Sequence, residues 1–456
     1  MIYCSVSLNQ MYRKFIEMSQ TLTQIAQELI ATNKKVQLIY AFNGTGKTRL
    51  SREFKELIAP KNIDDPSSAE SEPSRNKILY YNAYTEDLFY WDNDLDADAD
   101  PKLKIQPNTF TGWLIKLLQE LGEDGNIVTN FQRYTSSKAT PTFNQEYERK
   151  TKDQNNNETD VTIPAFSEVT FHVAKNTPPS APETLDEITE DNITDVQGQY
   201  EKIKISKGEE SNFIWSVIYT LLEQVILTLN EPDFTNRITN KFDNLEYVFI
   251  DDPVSSLDDT HLIELAIDLV KLIKISTYTE GNGLKFIITT HNPLFYNVLY
   301  NELNNDLKKY NQDGTSAWVY KRGQSEKYRL YKQGDGTYTL NKSNDHPFSY
   351  HLFLLSEVCK AINTMQIKKY HFSFLRNILE KAATFLGHPR WEDLLDKTAE
   401  GNPNPFASRI MNLSSHSAHA GEETADIEEI DKERLKELVK YLTNTYGFKT
   451  QETLND

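Results

Sequence analysis

Short apolar strands alternating with helices predict an α/β protein built on a largely parallel sheet. Two stretches carry the prediction. In "VQLIYAFNGTGKTRLSREFKELI" an apolar strand runs into a glycine-containing loop and then a helix. In "LEYVFIDDP", "THLIELAIDLVKLI" and "LKFIITTHNP" a strand, a helix and a second strand follow one another, and both strands are apolar along their length. Strands of that kind are buried on both faces, as parallel strands flanked by helices are. A third observation concerns the tail: from about Asn311, short strand-like pieces ("AWVYKR", "KYRLYKQ") give way to helical periodicity, so a mainly helical second domain is expected over 311–456.

In chain order, Met18 opens the first periodic segment, so residues 1–17 read as an N-terminal extension. "TLTQIAQELIAT" places Leu22, Ile25, Ala26, Leu29 and Ile30 on one helical face. The strand Val36 to Tyr40, the loop and a helix from about Lys47 follow, then an acidic, Pro/Ser-rich linker over 60–76. "KILYYNAYTEDLFYWDNDLDADADPKLK" is dense in aromatics beside aspartates and fits either a packed core or a contact surface. From about 135 to 196 the chain is rich in Thr, Asn, Glu and Pro, and reads as a poorly ordered insertion around one strand, "EVTFHVA". "IKISKGEESNFIWSVIYTLLEQVILTL" is a turn followed by a long apolar helix, and the first domain then closes near residue 310.

Composition narrows the function classes. At 456 residues the chain can hold two or three cores. A mean hydropathy of −0.60, with no continuous apolar run long enough to span a bilayer, argues against a membrane protein. The N-terminus lacks a basic region followed by an apolar one, so a cytoplasmic protein is expected. Cys4 and Cys359 have neither a disulfide pattern nor metal-site spacing. The formal charge of −18 disfavours indiscriminate nucleic-acid coating, yet Leu307 to Arg376 holds twelve Lys/Arg against five Asp/Glu. One stretch can face an anion.

"AFNGTGKT" between a strand and a helix is a phosphate-binding loop in which Ala41 replaces the usual first glycine. Backbone N–H groups of Asn43, Gly44, Thr45, Gly46, Lys47 and Thr48 would cradle the terminal phosphates of a nucleotide. Lys47 would neutralise their charge and the Thr48 hydroxyl would bind Mg²⁺. Asp251 and Asp252 end a buried strand, where ligands bind in open α/β sheets. Asp251 is the expected Mg²⁺ partner of Thr48.

Together with "ISKGEE", "SSLD" and "TTHN", in that order, these segments resemble the ABC-type P-loop ATPases of the soluble, SMC-like and repair branch. The resemblance implies that Ser206 and Gly208 contact the nucleotide of a second subunit, with Ser256 and Asp258 in the connecting loop and His291 as the switch histidine. A homodimer or higher oligomer follows from it. Asp252 stands where that family has glutamate, a departure that implies slow, switch-like hydrolysis. No glutamine matching the family's Q-loop is evident. Only 159 positions separate Lys47 from Ser206, without sustained heptads, so the long coiled coils of SMC-like and Rad-type proteins are excluded.

The 165 residues after His291 need a role of their own. In "YHFSFLRNILEKAATFLG", Phe372, Leu375, Leu379, Ala382 and Leu386 form an apolar stripe, and Arg376 and Glu380 share another face. "MNLSSHSAHAG" sets His416 and His419 in a Ser-rich segment. On residues alone this is either a surface ion pair or an Arg/Glu/His site.

These strings, with "KILYYNAYTEDLFYWDNDL", "IKISKGEESNFIWSVIYTLL" and "FSYHL", resemble the PrrC anticodon nuclease family from about Met18 to near the end. The resemblance implies an ABC-type NTPase controlling a C-terminal ribonuclease. That ribonuclease cuts tRNA-Lys 5′ to the wobble base without a metal, through Arg376, Glu380 and His416. RNA supplies its own 2′-OH nucleophile, so an acid, a base and a cation suffice, leaving a 2′,3′-cyclic phosphate and a 5′-OH. Asp345 and His351 are the weaker candidates for tRNA contact. The family also implies GTP or ATP as fuel, dTTP as a stabilising ligand, a type Ic DNA restriction-modification complex as silencing partner and a phage peptide as activator. The rival expectation is a DNA-acting ABC-type ATPase of a defence or repair system.

Overall fold

The computed structural model describes residues 19–60, 77–82, 89–92, 101–106, 114, 117–135, 137–152, 158–174, 200–253, 259–310, 314–343, 350–397, 401–402, 404–414 and 427–448. The chain divides into two compact units, one ending at Ser343 and the other beginning at Asn344.

The first unit opens with α1 (Leu22–Ala31), β1 (Val36–Tyr40) and α2 (Lys47–Ile58). Thr21 caps α1 reciprocally with Gln24: the Gln24 N–H donates to Thr21 Oγ1 at 3.2 Å and the Thr21 N–H to Gln24 Oε1 at 2.8 Å. Leu22, Ile25, Ala26 and Leu29 are then buried, as their spacing predicts, while Ile30 is half-buried. Next come β2 (Ile78–Asn82), β3 (Phe89–Asp92), β4 (Lys102–Ile105), α3 (Asp124–Thr135), β5 (Thr140–Phe143), β6 (Tyr147–Lys152), β7 (Glu158–Ile163), β8 (Glu168–Ala174) and β9 (Tyr200–Ile203). The unit continues through α4 (Lys207–Asn230), β10 (Tyr247–Asp251), α5 (Asp259–Ile275), β11 (Tyr278–Thr279), β12 (Asn282–Gly283), β13 (Lys285–Thr290) and α6 (Pro293–Leu303). It ends with β14 (Leu307–Tyr310), β15 (Ser316–Tyr320), β16 (Ser325–Lys332) and β17 (Tyr338–Lys342).

Six strands form the main sheet in the order β17-β16-β1-β13-β10-β2. All pairings are parallel except β16 with β17. The register sets Tyr40 beside Thr290 and Asp251 beside Thr289, so β1, β13 and β10 end level with one another. Every residue of β1 and β10 is buried, matching the apolar runs that announced a parallel sheet. Burying side chains such as Leu38, Ile39 and Ile250 is worth about 1.5–3 kcal/mol each.

Three sequence expectations change. Residues 311–343 do not begin the second domain, because β16 pairs with β1 over five residues and β17 closes the sheet edge. β16 reads SEKYRLYK and buries Ser325 and Lys327 along with Tyr328 and Leu330, so it lacks the apolar run of the central strands. The boundary therefore lies at 343/344 rather than 310/311. Second, the region expected to be a poorly ordered insertion contains paired strands: β5, β8 and β9 join β3 and β4 in an antiparallel sheet, and β6 pairs with β7 over six residues. "YERKTK" and "ETDVTI" are polar on both faces, so main-chain pairing holds them with no hydrophobic pattern to announce it. Third, α4 is long and apolar enough to cross a membrane by length and composition alone, but 83% of its apolar window is buried inside the unit. It is the central core helix, with Phe213, Trp215, Val217, Leu221 and Val225 all buried. The linker after Pro60 and residues 1–18 lie outside the described residues.

The second unit is helical: α7 (Tyr350–Asn363), α8 (Lys369–Leu386), α9 (Phe406–Ser414) and α10 (Glu429–Tyr446), with a short 3-10 turn at Trp391–Leu394. Its core joins Leu354, Val358, Phe372, Leu375, Leu379, Ile410, Leu435 and Leu442. The predicted stripe of α8 shifts at its C-terminal end: Ala383 is buried in place of Ala382, and Leu386 is exposed.

Candidate functional site

The loop between β1 and α2 lies at the carboxyl ends of the sheet strands. Ala41 is fully buried and packs with Leu50 and Phe54, and it is not among the residues with positive φ. The first position of this loop therefore needs no glycine. Gly44 and Gly46 do, with φ of 77° and 107°. Gly46 leads directly into α2, whose N-terminus offers unpaired N–H groups to an anion.

Lys47 is buried and its Nζ lies 3.2 Å from Ala41 O, 3.4 Å from Phe42 O and 3.2 Å from Asn43 Oδ1. It is also 3.4 Å from Asp252 Oδ2. The ammonium is thus held over the loop mouth by weak, long contacts that a phosphate oxygen could replace. Asp251 is enclosed by hydroxyls: Thr48 Oγ1 donates to it at 2.8 Å, Thr289 Oγ1 at 2.5 Å and Tyr80 OH at 3.4 Å. Burial pushes the Asp251 carboxyl up, against the Thr289 and Thr48 hydrogen bonds that favour its charge. A buried carboxylate and a hydroxyl facing each other beside the phosphate loop suit a hard divalent cation, so Thr48 and Asp251 fit Mg²⁺.

Asp252 sits one residue further on, in the left-handed region at φ 54°. His291 Nδ1 donates to its Oδ2 at 2.5 Å, and the His291 N–H donates to Oδ1 at 3.2 Å. Burial works to raise the Asp252 carboxyl, but the His291 hydrogen bond and the Lys47 charge prevail and hold it below its ordinary value. Asp252 thus joins Lys47 and His291 in one connected cluster beside the Asp251 and Thr48 pair.

Ser206 caps α4: the Glu209 N–H donates to Ser206 Oγ at 3.3 Å, and Glu209 Oε2 accepts from the Ser206 N–H and Oγ–H, both at 2.8 Å. Gly208 lies in the first turn of that helix, without a side chain to cover its N–H groups. Both residues thus stand at a helix N-terminus, where the Glu209 carboxylate takes the Ser206 N–H and hydroxyl. Ser256 and Asp258 fall outside the described residues.

In the second unit, Arg376 Nε donates to Glu380 Oε1 at 2.8 Å across one turn of α8, with both side chains substantially exposed. His351 stands in the first turn of α7, where burial and then the Lys381 charge depress its basicity. α9 ends at Ser414, and His416 and Asp345 lie outside the described residues. Arg409 of α9 forks onto Asp431 at 3.0 and 2.7 Å and so fastens α9 to the start of α10.

Sequence reasoning missed Thr289 and Tyr80 as partners of Asp251, and Arg409 with Asp431 as a brace. Thr289 stands in the quoted "TTHN", where its position two residues before the histidine was the available signal. Of the aromatic-rich segment, Tyr81 packs on Trp215 and Phe89 on Phe213, Trp91 Nε1 donates to buried Glu210 at 2.9 Å, and Tyr80 reaches Asp251. Its described part is therefore mostly core and site support, with Tyr90 left exposed.

Residues 228–446 match a family described as an AAA domain. A curated protein of Escherichia coli, "Anticodon nuclease", is 46% identical over 461 aligned positions, covering 96% of this chain and all of that one. Among solved structures, an SMC head bound to the C-terminal winged-helix domain of ScpA matches 68% of this chain and 90% of its own, at 10% identity and a TM-score of 0.27. The sheet, the phosphate loop and the paired aspartates make the first unit a P-loop NTPase fold. With near-complete coverage by a close relative, the chain belongs to the anticodon nuclease family.

Proposed function

We propose that this protein is a nucleotide-gated anticodon nuclease. It cuts tRNA, with tRNA-Lys as the expected substrate, 5′ to the wobble base. The observation that carries the reading is the exposed Arg376–Glu380 pair in a helical unit separate from a P-loop NTPase unit, in a chain similar to an anticodon nuclease over nearly its whole length. A guanidinium next to a carboxylate on an open helix face offers a fork for phosphate oxygens and a proton acceptor one turn away.

In the first unit, Asn43 to Thr48 bind the phosphates of GTP or ATP, with Lys47 moving from the loop carbonyls onto phosphate oxygen. Mg²⁺, held by Thr48 and Asp251, supplies charge neutralisation at those phosphates when bound. Asp252, oriented by His291, positions the attacking water. Ser206 and Gly208 engage the nucleotide of a second copy, with Ser256 and Asp258 in the same interface, so nucleotide closes a homodimer or a larger assembly. dTTP is a further ligand of this unit.

In the second unit, Glu380 and His416 transfer the protons while Arg376 stabilises the phosphorane. The 2′-OH attacks, the P–O5′ bond breaks, and a 2′,3′-cyclic phosphate and a 5′-OH remain; no metal takes part. His351 and Asp345 contact the anticodon loop. The setting is antiphage defence, with a type Ic restriction-modification complex as silencing partner and a phage peptide as the trigger. End-mapping of tRNA from cells expressing the protein tests this. Cleavage 5′ to the wobble position, lost in Glu380→Ala, is expected; intact anticodon loops beside nicked DNA would overturn the reading in favour of a DNA-acting ATPase.

A further inference from the structure

The β14–β15 hairpin stands apart from the six-stranded sheet as a two-stranded ribbon. Its root is fixed by Tyr320, which is fully buried, donates from its OH to Leu303 O at 2.8 Å and lies beneath Lys35 and Lys274 at 5.7 and 5.5 Å from its ring centroid. Beyond that root the surface inverts. Tyr310 is 74% exposed and Trp318 49%, although large rings gain most from burial. The register sets Lys308 opposite Trp318 and Tyr310 opposite Ser316, so Lys308, Tyr310 and Trp318 share one face.

Cations crowd the same place. Lys308 Nζ lies 4.1 Å from the Trp318 ring centroid and Lys321 Nζ 5.6 Å from it. Lys309 and Arg322 adjoin them, and Lys34 reaches the base of the ribbon through Gly323 O at 2.6 Å. Among the described residues, no carboxylate forms an ion pair with Lys308, Lys309, Lys321 or Arg322; the nearest acidic contact is Asp306, which accepts from the Arg322 backbone N–H at 2.6 Å. The chain carries a net charge of −18, yet these cations flank exposed rings with no carboxylate ion-pair partner among the described residues. The indole offsets part of the repulsion between two ammonium groups, and an anion would offset the rest.

We propose that this hairpin binds single-stranded RNA. Tyr310 provides a face for a base, while Lys308 and Lys321, gathered by Trp318, take the flanking phosphates. A cationic track with interleaved aromatic platforms is how single strands are held without sequence reading. The proposal deepens the nuclease reading, on which it rests for the identity of the strand. It gives the NTPase unit its own contact with substrate.

The test uses the full chain and a fluorescent 15-nucleotide 2′-O-methyl oligouridylate, which has no free 2′-OH and stays intact. Tyr310→Ala with Trp318→Ala should weaken binding about tenfold or more. Lys308→Gln with Lys321→Gln should lower the slope of log affinity against log salt by about 1.4. Melting temperature should be unchanged in both, because the replaced side chains are exposed. Unaltered affinity and slope would overturn the proposal. So would equal binding of duplex RNA, preference for the deoxy strand, or variants that lose self-association while still binding RNA, which would make the hairpin a protein-docking surface. The two readings separate. If the wild type cuts tRNA while the hairpin variants bind normally, only the hairpin proposal fails. If the wild type cuts no tRNA while the variants lose strand binding, the hairpin stands and the nuclease reading fails.

Discussion

Asp252 and His291 are joined twice, through the imidazole Nδ1 at 2.5 Å and the backbone N–H at 3.2 Å, so one carboxylate reads both the orientation and the main-chain position of the histidine. The strand end at β10 and the strand end at β13 are thereby tied at the point where a terminal phosphate would lie. Asp252→Asn keeps the side-chain shape and tolerates φ 54°, but removes the charge. Phosphate release should fall about 100-fold or more, while nucleotide affinity stays within about threefold. His291→Ala should lose a similar factor, and the double variant should be far less impaired than the product of the two. Multiplicative losses would show that the two residues act separately.

Ala41 and Gly46 make opposite predictions about the phosphate loop. Ala41 is buried in the core with ordinary backbone, so restoring the usual glycine by Ala41→Gly should destabilise the unit by about 0.5–1 kcal/mol and bring no gain in nucleotide affinity. Gly46 has φ 107°, and an added Cβ would press within 3.4 Å of the Tyr338 hydroxyl. Gly46→Ala should therefore weaken nucleotide binding by more than tenfold, because strain falls on the N–H groups that face the phosphates. Titration with a fluorescent nucleotide and a thermal melt distinguish the two outcomes.

The Arg409–Asp431 fork ties two helices of the second unit, and Asp431 also accepts from the Glu428 N–H at 3.0 Å as the reciprocal cap of α10. Asp431→Asn should cost about 2–3 kcal/mol, less than a fully buried pair because Arg409 retains some exposure. The Arg409 hydrogen bonds hold the Asp431 carboxyl below its ordinary value. Its contribution is therefore complete above the unfolded carboxylate range, near pH 4, and is lost as pH falls through the lower folded value. The wild type should lose more stability than Asp431→Asn between about pH 5 and pH 3. Parallel pH profiles in a denaturant titration would refute the brace.

Much of the nucleotide half was legible because its signals are local. A strand, a loop and a helix in sequence placed Lys47 and Thr48, and an apolar strand ending in Asp251 and Asp252 placed the carboxylates. What remained hidden depends on pairing between distant segments. Thr289 meets Asp251 only through the β10–β13 register, and Tyr80 through the β10–β2 pairing. β16 enters the main sheet beside β1 although Val36 and its partner Ser325 lie far apart in the chain, and no apolar run marks it. β6 and β7 carry almost no hydrophobic signal, so only their ladder reveals them. In the second unit, the i,i+4 spacing of Arg376 and Glu380 was readable, whereas the partner of Arg409 lies across a helix pair.

Substitutions in the two units should separate the nuclease chemistry from the nucleotide switch. Arg376 and Glu380 face each other across one turn, so removing either changes both the charge and the orientation of the other. Arg376→Ala, Glu380→Ala and His416→Ala should each abolish tRNA cleavage and leave NTP hydrolysis near normal, because Lys47, Asp252 and His291 belong to the other compact unit. Groups that act as one machine are strongly non-additive, so the triple variant should be little worse than the worst single one. Lys47→Ala should also stop cleavage in cells, but through lost nucleotide affinity, with the second unit's residues intact. Once the nucleotide step is complete, cleavage should survive EDTA if Glu380 and His416 carry the protons alone. A chelator-sensitive cut, or 5′-OH ends still formed in the anticodon loop by His416→Ala, would remove these residues from the reaction while leaving the family membership in place.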